Sequence, residues 1–319
     1  MRRLSILLLL TLCAGLAAAD PQPSSLDAAV DELLAQGGLR GVLILQDGEV
    51  VAERFRGGLD ADEPVNVKSA SKSLLSALVG IAIERGDLDG VDQTLGELLP
   101  GRVSGEKAQI TLEDLLTMSS GLETVSGANY GAWVSSKNWV DAALDQPLVD
   151  DPGTTFTYST GNSHLVSAIL TEATGLSTRA YAETHLLEPL GISVSWWERD
   201  PQGIYMGGNQ VSMSARDLAR LGQLYLRKGE WEGKQVVPSA WVERSTRVHA
   251  EGWPDRYGQY GYFWWVRPEQ QAYMAVGYGG QFLYVAPEAD LIVVLISTIQ
   301  SKGAEWDRRV ISWIEDRVR

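Results

Sequence analysis

Cysteine is nearly absent from this 319-residue chain, and its one copy, Cys13, lies in the apolar N-terminal run. Removing that run leaves no thiol, which excludes disulfides, cysteine nucleophiles and cysteine-ligated metal sites. Histidine is also scarce: His164, His185 and His249 are the only three and have no metal-ligand spacing. No Gly-x-Ser-x-Gly segment occurs, which disfavours a Ser-His-Asp hydrolase. A glycine-rich phosphate loop between a strand and a helix is missing too, which argues against a nucleotide cofactor. No cofactor and no metal is expected. Basic residues are few: 27 Lys and Arg against 41 Asp and Glu give a formal charge of −14. Such an acidic surface argues against nucleic acid and anionic membranes as partners. After the N-terminus no apolar stretch is long enough to span a bilayer, so stable membrane insertion is not expected.

The N-terminus itself has an export pattern. Met1-Arg2-Arg3 is basic, Leu4 to Leu16 is almost wholly apolar, and Ala17-Ala18-Ala19 precedes Asp20. Residues 1–19 read as a signal peptide, giving a periplasmic or secreted product cleaved near Ala19. The remaining chain, 45% hydrophobic and 21% charged over the whole sequence, is rich enough in apolar residues to build a sizeable core.

Periodicity gives an order of elements. Ser25 to Gln36 places Leu26, Val30, Leu33 and Leu34 on one helical side. Gly41 to Gln46 and Val50 to Phe55 are strands around the turn Asp47-Gly48. Leu74 to Glu84 is apolar nearly all round, as a buried helix is. Helical segments dominate from Thr111 to Thr246, including Leu112–Met118, Asn162–Thr174 and Ala215–Lys228. Gly261 to Val266, Tyr273 to Ala286 and Leu291 to Thr298 read as three more strands, and Glu305 to Val318 as a closing helix. The economical architecture is α+β: a five-stranded antiparallel sheet flanked by helices, built from 20–95 and 250–319, with a mostly helical region, 96–249, inserted.

Ser69-Ala70-Ser71-Lys72 opens the apolar helix. Positions i and i+3 share a helix face, so the Lys72 amine can reach the Ser69 hydroxyl. A serine needs a base to act as nucleophile, and a lysine can be that base if burial lowers its pKa. The spacing is not unique, because Ser104-Gly105-Glu106-Lys107 repeats it in a polar, glycine-containing loop.

Two later segments stand in the order this chemistry needs. Phe156-Thr157-Tyr158-Ser159-Thr160-Gly161-Asn162 precedes a helix, and Ala275-Val276-Gly277-Tyr278-Gly279-Gly280-Gln281 lies on a strand segment ending at Pro287. With Ile110 to Leu122 and Ser214 to Gln223, they make the chain resemble the penicillin-recognising serine hydrolases. That superfamily includes class C β-lactamases, DD-peptidases, related esterases and the 6-aminohexanoate-dimer hydrolases. The resemblance runs from about Gly41 to the C-terminus and is nearest the esterase and dimer-hydrolase branch. It implies a β-lactamase/transpeptidase-like fold, with Ser69 as acylated nucleophile and Lys72 as its base. Tyr158 would then shuttle the proton, as a phenolate or through Lys72. Thr160 stands where the family has asparagine.

The family's third triplet falls either on Ala275-Val276-Gly277 or on Tyr278-Gly279-Gly280, and the distance to Pro287 favours the first. Gly277 is then the triplet glycine, and the Tyr278 N–H joins that of Ser69 in an oxyanion hole. Ala275 and Val276 replace the cation and hydroxyl that bind a substrate carboxylate in β-lactamases and DD-peptidases. This favours a small ester or amide without that carboxylate. A β-lactamase or DD-carboxypeptidase, and a non-catalytic penicillin-binding-like module, remain the alternatives. Asn162, Gly280 and Gln281 are further substrate-binding candidates. Trp133 fits a pocket wall or the core equally well. Oligomeric state is left open.

Overall fold

A computed structural model describes residues 26–35, 37–300 and 303–317. The expected signal peptide lies outside them. Among the described residues no helix is long and apolar enough to cross a membrane, and no cluster of side chains could hold a metal ion.

One sheet carries the architecture. Its N-terminal strands are β1 (Leu39–Gln46) and β2 (Glu49–Phe55). The other six follow one another near the C-terminus: β3 (Ala250–Trp253), β4 (Gly258–Tyr260), β5 (Trp265–Arg267), β6 (Ala272–Gly277), β7 (Gln281–Ala286) and β8 (Leu291–Ser297). Their spatial order is β2-β1-β8-β7-β6-β5-β4-β3, with every neighbour antiparallel. The two ends of the chain meet where β1 pairs with β8, placing Val42 opposite Leu295 and Leu43 opposite Val294.

The sheet has eight strands rather than five: two expected strands are divided by turns, and Ala250–Trp253 adds an edge strand where none was expected. Tyr273 to Ala286 is not one strand, because Gly279 and Gly280 take φ of 86° and 92° and turn the chain into the β6–β7 hairpin. That is backbone that glycine adopts without steric cost. The expected strand Gly261 to Val266 also breaks, since Phe263 sits at φ 60°, leaving β4 and β5 on either side.

Helices cover both faces. The main ones are α1 (Leu26–Ala35), α2 (Lys72–Arg85), α3 (Thr160–Thr174), α4 (Ala215–Leu226) and α5 (Gly303–Arg317). Successive side chains of a strand point to opposite faces. Phe282 meets Trp306 of α5, whereas Leu283 meets Gly222 of α4, so these two helices sit on opposite sides. β1 and β8 are buried along nearly their whole length and read as continuous apolar runs.

α2 runs through the interior, with residues 72–82 all buried. Gly86 ends it at φ 77°, its N–H bonding the carbonyls of Ala82 and Ile83. Trp241 lies flat against Gly80, leaving no room for a Cβ. Gly80→Ala is expected to lower the unfolding free energy by about 1–3 kcal/mol through overpacking. A thermal melt unchanged from wild type would show that Trp241 has space to retreat.

Candidate active site

Ser69 is held by the segment that leads into α2. Val65 and Asn66 pair with Met213 and Ser212, and the Val67 N–H bonds the Val211 carbonyl at 3.0 Å. Lys68 is then forced to φ 54°, a conformation uncommon for a residue with a side chain. Its N–H bonds Asn66 Oδ1 at 3.0 Å, and its carbonyl accepts from Ser71 Oγ at 2.7 Å. Ser69 follows in a short 3-10 turn, partly exposed.

Lys72, one turn on, is only 1% exposed. Its Nζ lies 3.2 Å from Ser69 Oγ, 2.8 Å from the Gly208 carbonyl and 3.5 Å from Thr160 Oγ1. Burial lowers its pKa to about 7, because an ammonium loses its hydration there. Among the described residues no carboxylate forms an ion pair with it. The other Ser-x-x-Lys spacing builds nothing comparable: Lys107 donates to the Leu144 carbonyl at 2.7 Å instead.

The Tyr158 segment is cradled by residues 117–126. Thr124 Oγ1 donates to the Tyr158 carbonyl at 2.7 Å, and the Thr157 N–H bonds the Met118 carbonyl at 2.7 Å. The Tyr158 ring is part-buried, 5.1 Å from Lys72 Nζ and stacked on Trp265 at 6.1 Å. Burial raises its phenol pKa to about 12, against the pull of a hydrogen bond with Ser69. Thr160 caps the same wall. Its hydroxyl accepts from Ser126 Oγ at 3.1 Å, and its N–H donates to Ser126 Oγ at 2.8 Å.

The strand side arrives through Gly277, the last residue of β6. A Cβ there would run into the Val67 carbonyl and stand 3.2 Å from Lys68 Cβ, so only glycine lets β6 lie beside the segment that carries Ser69. Ala275 and Val276 are both buried and bring no charge. Tyr278 follows directly, 58% exposed, and Ile299 and Trp253 are also exposed apolar residues. Trp253 sits 5.5 Å from Tyr158.

The other candidates lie elsewhere. Gln281 is fully buried and clamps the neighbouring strand: Nε2 donates to the Ser297 carbonyl at 2.9 Å, and Oε1 accepts the Ser297 N–H at 3.2 Å. Gly280 is packed against the Trp306 ring, serving the hairpin. Asn162 is 2% exposed and accepts from Ser120 Oγ at 3.0 Å. Trp133, 3% exposed, gives its indole N–H to the Trp139 carbonyl at 2.8 Å and packs in a small core with Trp139, Val125 and Met206. All four are buried, and Asn162 Nδ2 has no hydrogen-bond partner.

Sequence reasoning did not find Gly208, Ser126, Gln210 or Glu198. Gly208, at φ 65°, lies so close to Lys72 that a Cβ would overlap its side chain. The Gly207-Gly208 pair was the one available signal. Gln210 Oε1 accepts from Lys68 Nζ at 2.6 Å, and Gln210 Nε2 donates to Glu198 at 2.8 Å. Burial lowers the Lys68 pKa while Glu198 raises it.

Residues 26–312 match the Beta-lactamase family, and the chain belongs to it. Among named relatives, the 6-aminohexanoate-dimer hydrolase of Paenarthrobacter ureafaciens is 28% identical over 287 residues, covering 80% of this chain and 71% of that one. Two solved structures share the fold. A Bacillus anthracis protein provisionally named a 6-aminohexanoate-dimer hydrolase has a TM-score of 0.77 at 24% identity, covering 91% of this chain and 82% of that one. EstCE1, described as a hydrolase with promiscuous acyltransferase activity, has a TM-score of 0.74 at 17% identity, covering 91% and 96%. The chain is thus a serine hydrolase of β-lactamase/transpeptidase-like fold.

A buried amine is a burden on the fold. Lys72→Met is expected to abolish turnover yet raise the unfolding free energy by about 1–3 kcal/mol at pH 7. The lysine pKa is depressed on folding, so wild type is penalised fully below the folded value of about 7. The penalty fades as pH rises toward the ordinary lysine range. Melts of both proteins from pH 6 to 10 should therefore converge at the alkaline end; a gap that widens there would contradict burial of the charge.

Proposed function

We propose that this chain is an exported hydrolase that cleaves a small ester or amide through an acyl-enzyme on Ser69. The observation that carries the reading is the buried Lys72 amine 3.2 Å from a partly exposed Ser69 hydroxyl. With a pKa near 7 and a tyrosine near 12, Lys72 is the group able to accept a proton at neutral pH. Of the two routes for Tyr158, this favours relay through Lys72 over a standing phenolate.

Ser69 Oγ attacks the carbonyl carbon as its proton passes to Lys72 Nζ. The oxyanion that forms is received by the N–H groups of Ser69 and Tyr278, a pairing that the close approach of Gly277 to Val67 supports. Tyr158, bonded to Ser69 and beside Lys72, hands the proton to the leaving oxygen or nitrogen, and the carbonyl–leaving-group bond breaks. Water then repeats the sequence on the acyl-serine.

The substrate side rests on charge. Ala275 and Val276 provide no cation, and Lys68, next to the serine, is already held by Gln210. Arg256, over the Trp253 ring, is held by Asp307 at 2.6 Å. A carboxylate-bearing β-lactam or D-alanyl peptide has no free partner among these groups, whereas the apolar residues Trp253 and Tyr278 suit an uncharged acyl group. The name of the Paenarthrobacter relative, a 6-aminohexanoate-dimer hydrolase, is that of an amide-cleaving protein and is consistent with the acyl-transfer step.

Short-chain p-nitrophenyl esters should be turned over with kcat/KM at least about a hundredfold above cephalosporins, and Ser69→Ala should abolish both while leaving the melt intact. The kcat/KM profile should rise through about pH 7, where Lys72 loses its proton. Cephalosporin hydrolysis without esterase activity would move the assignment to the β-lactamase alternative. Absence of any Ser69-dependent turnover would move it to the non-catalytic one. For export, the product recovered outside the cytoplasm should begin at or near Asp20.

A further inference from the structure

A neutral lysine amine has two N–H bonds and one lone pair, and it serves as a base only if the lone pair faces the serine. At Lys72 the acceptors for the N–H bonds are the Gly208 carbonyl at 2.8 Å and Thr160 Oγ1 at 3.5 Å. The carbonyl is the shorter of the two and the main constraint on the amine. What holds Gly208 is therefore part of how the site is set.

Directly behind it is a buried pair whose side chains are both fully enclosed: His164 on α3 and Asp200 in the loop that leads to Gly208. His164 Nε2 lies 3.2 Å from Asp200 Oδ2, and His164 Nδ1 lies 3.3 Å from the Gly207 amide nitrogen. A backbone N–H only donates, so Nδ1 must be bare and the ring proton must sit on Nε2, directed at Asp200. Asp200 is fixed in turn by the amides of Gln202 and Ile204, which donate to Oδ1 at 2.8 and 2.9 Å. Burial works to raise its pKa, but the His164 hydrogen bond and those amides outweigh it and keep it below the usual carboxylate range. Trp133 and Trp139 stand edge-on to the imidazole at 5.7 and 5.6 Å and hold its orientation. Ser163 Oγ donates to the Gly207 carbonyl at 2.8 Å, so the loop is tied to α3 through both the N–H and the carbonyl of Gly207.

We propose that Asp200 and His164 are positioning residues: Asp200 fixes the imidazole tautomer, His164 Nδ1 holds the Gly207 N–H, and the Gly208 carbonyl is thereby held against the Lys72 amine. The inference rests on Lys72 acting as the base for Ser69. It gives the buried aromatic cluster around Trp133 a purpose that a pocket wall would not.

The tautomer is what the test changes. In Asp200→Asn, an amide nitrogen facing His164 requires a bare Nε2, which moves the ring proton to Nδ1 against the Gly207 N–H. The opposite amide orientation sets two N–H donors against the amides of Gln202 and Ile204. His164→Ala removes the acceptor altogether. His164→Asn keeps an oxygen near the place of Nδ1. Three quantities are measured for each: kcat and KM on a p-nitrophenyl ester, the melting temperature, and the Lys72 titration midpoint by NMR of protein carrying [ε-13C]lysine.

Asp200→Asn and His164→Ala should lower kcat by about tenfold or more with KM within about threefold. Losing the carbonyl that favours the ammonium form should also move the Lys72 midpoint down by about half a pH unit or more. His164→Asn should stay near wild type in kcat and midpoint. Folded Asp200→Asn protein with wild-type kcat and an unmoved midpoint would overturn the proposal, as would a His164→Asn variant that falls as far as His164→Ala. The midpoint is read without substrate. A wild-type protein that turns over no ester would therefore refute the hydrolytic reading while leaving the link between His164 and Lys72 separately measurable.

Discussion

An amine can take a proton from serine only after it has lost its own, and in water a lysine does so far above neutral pH. Enclosing Lys72 resolves this: stripped of hydration and, among the described residues, without a carboxylate partner, its amine has its pKa lowered to about 7. Much of the surrounding structure follows from that enclosure. α2 is apolar on nearly every side because it must carry the lysine into the interior. Glycine is required at 208 because the loop carbonyl has to touch the side chain, and at 277 because β6 must lie against the turn before Ser69. Lys68 and Gln210, both at φ 54°, are bonded to each other across the same opening. Strain of this kind persists only where neighbouring contacts hold it, and here it stands beside Ser69.

The site is assembled from distant parts of the chain, which is why the fold matters to it. Ser69 and Lys72 come from the start of α2, Tyr158 and Thr160 from the approach to α3, the Gly208 carbonyl from a loop, and Gly277 from the sheet. The pairing of β1 with β8 joins the chain ends and fixes β6 opposite the turn before α2. The chain is a serine hydrolase of the Beta-lactamase family, and the proposed substrate difference rests on Ala275 and Val276, which are buried and uncharged.

What the sequence revealed and what it concealed divide along physical lines. Ser69 and Lys72 were legible because helical spacing alone puts them together, and the buried helix behind them is plain in its composition. The layering of helices on an antiparallel sheet was legible from periodicity, although five strands became eight. Gly279-Gly280 and Phe263 make turns inside apolar runs that read as continuous, and apolarity does not report φ. Trp133, Asn162, Gly280 and Gln281 are a different case, because all four are buried. Their chemistry would suit a substrate, but a side chain's capacity to bind says nothing about which way it points. Gly208 was invisible for a different reason: it acts through a carbonyl, which every residue has, and only the adjacent glycines hint that something must come close.

The central claim is that Ser69 becomes covalently acylated by virtue of Lys72. Mass spectrometry of protein quenched during turnover of an excess of p-nitrophenyl ester tests it most directly. The account predicts a mass increase equal to one acyl group, located on the peptide that contains Ser69, formed by wild type and absent from Lys72→Met. An acyl group on any other residue, or one formed as fast without Lys72, would contradict it.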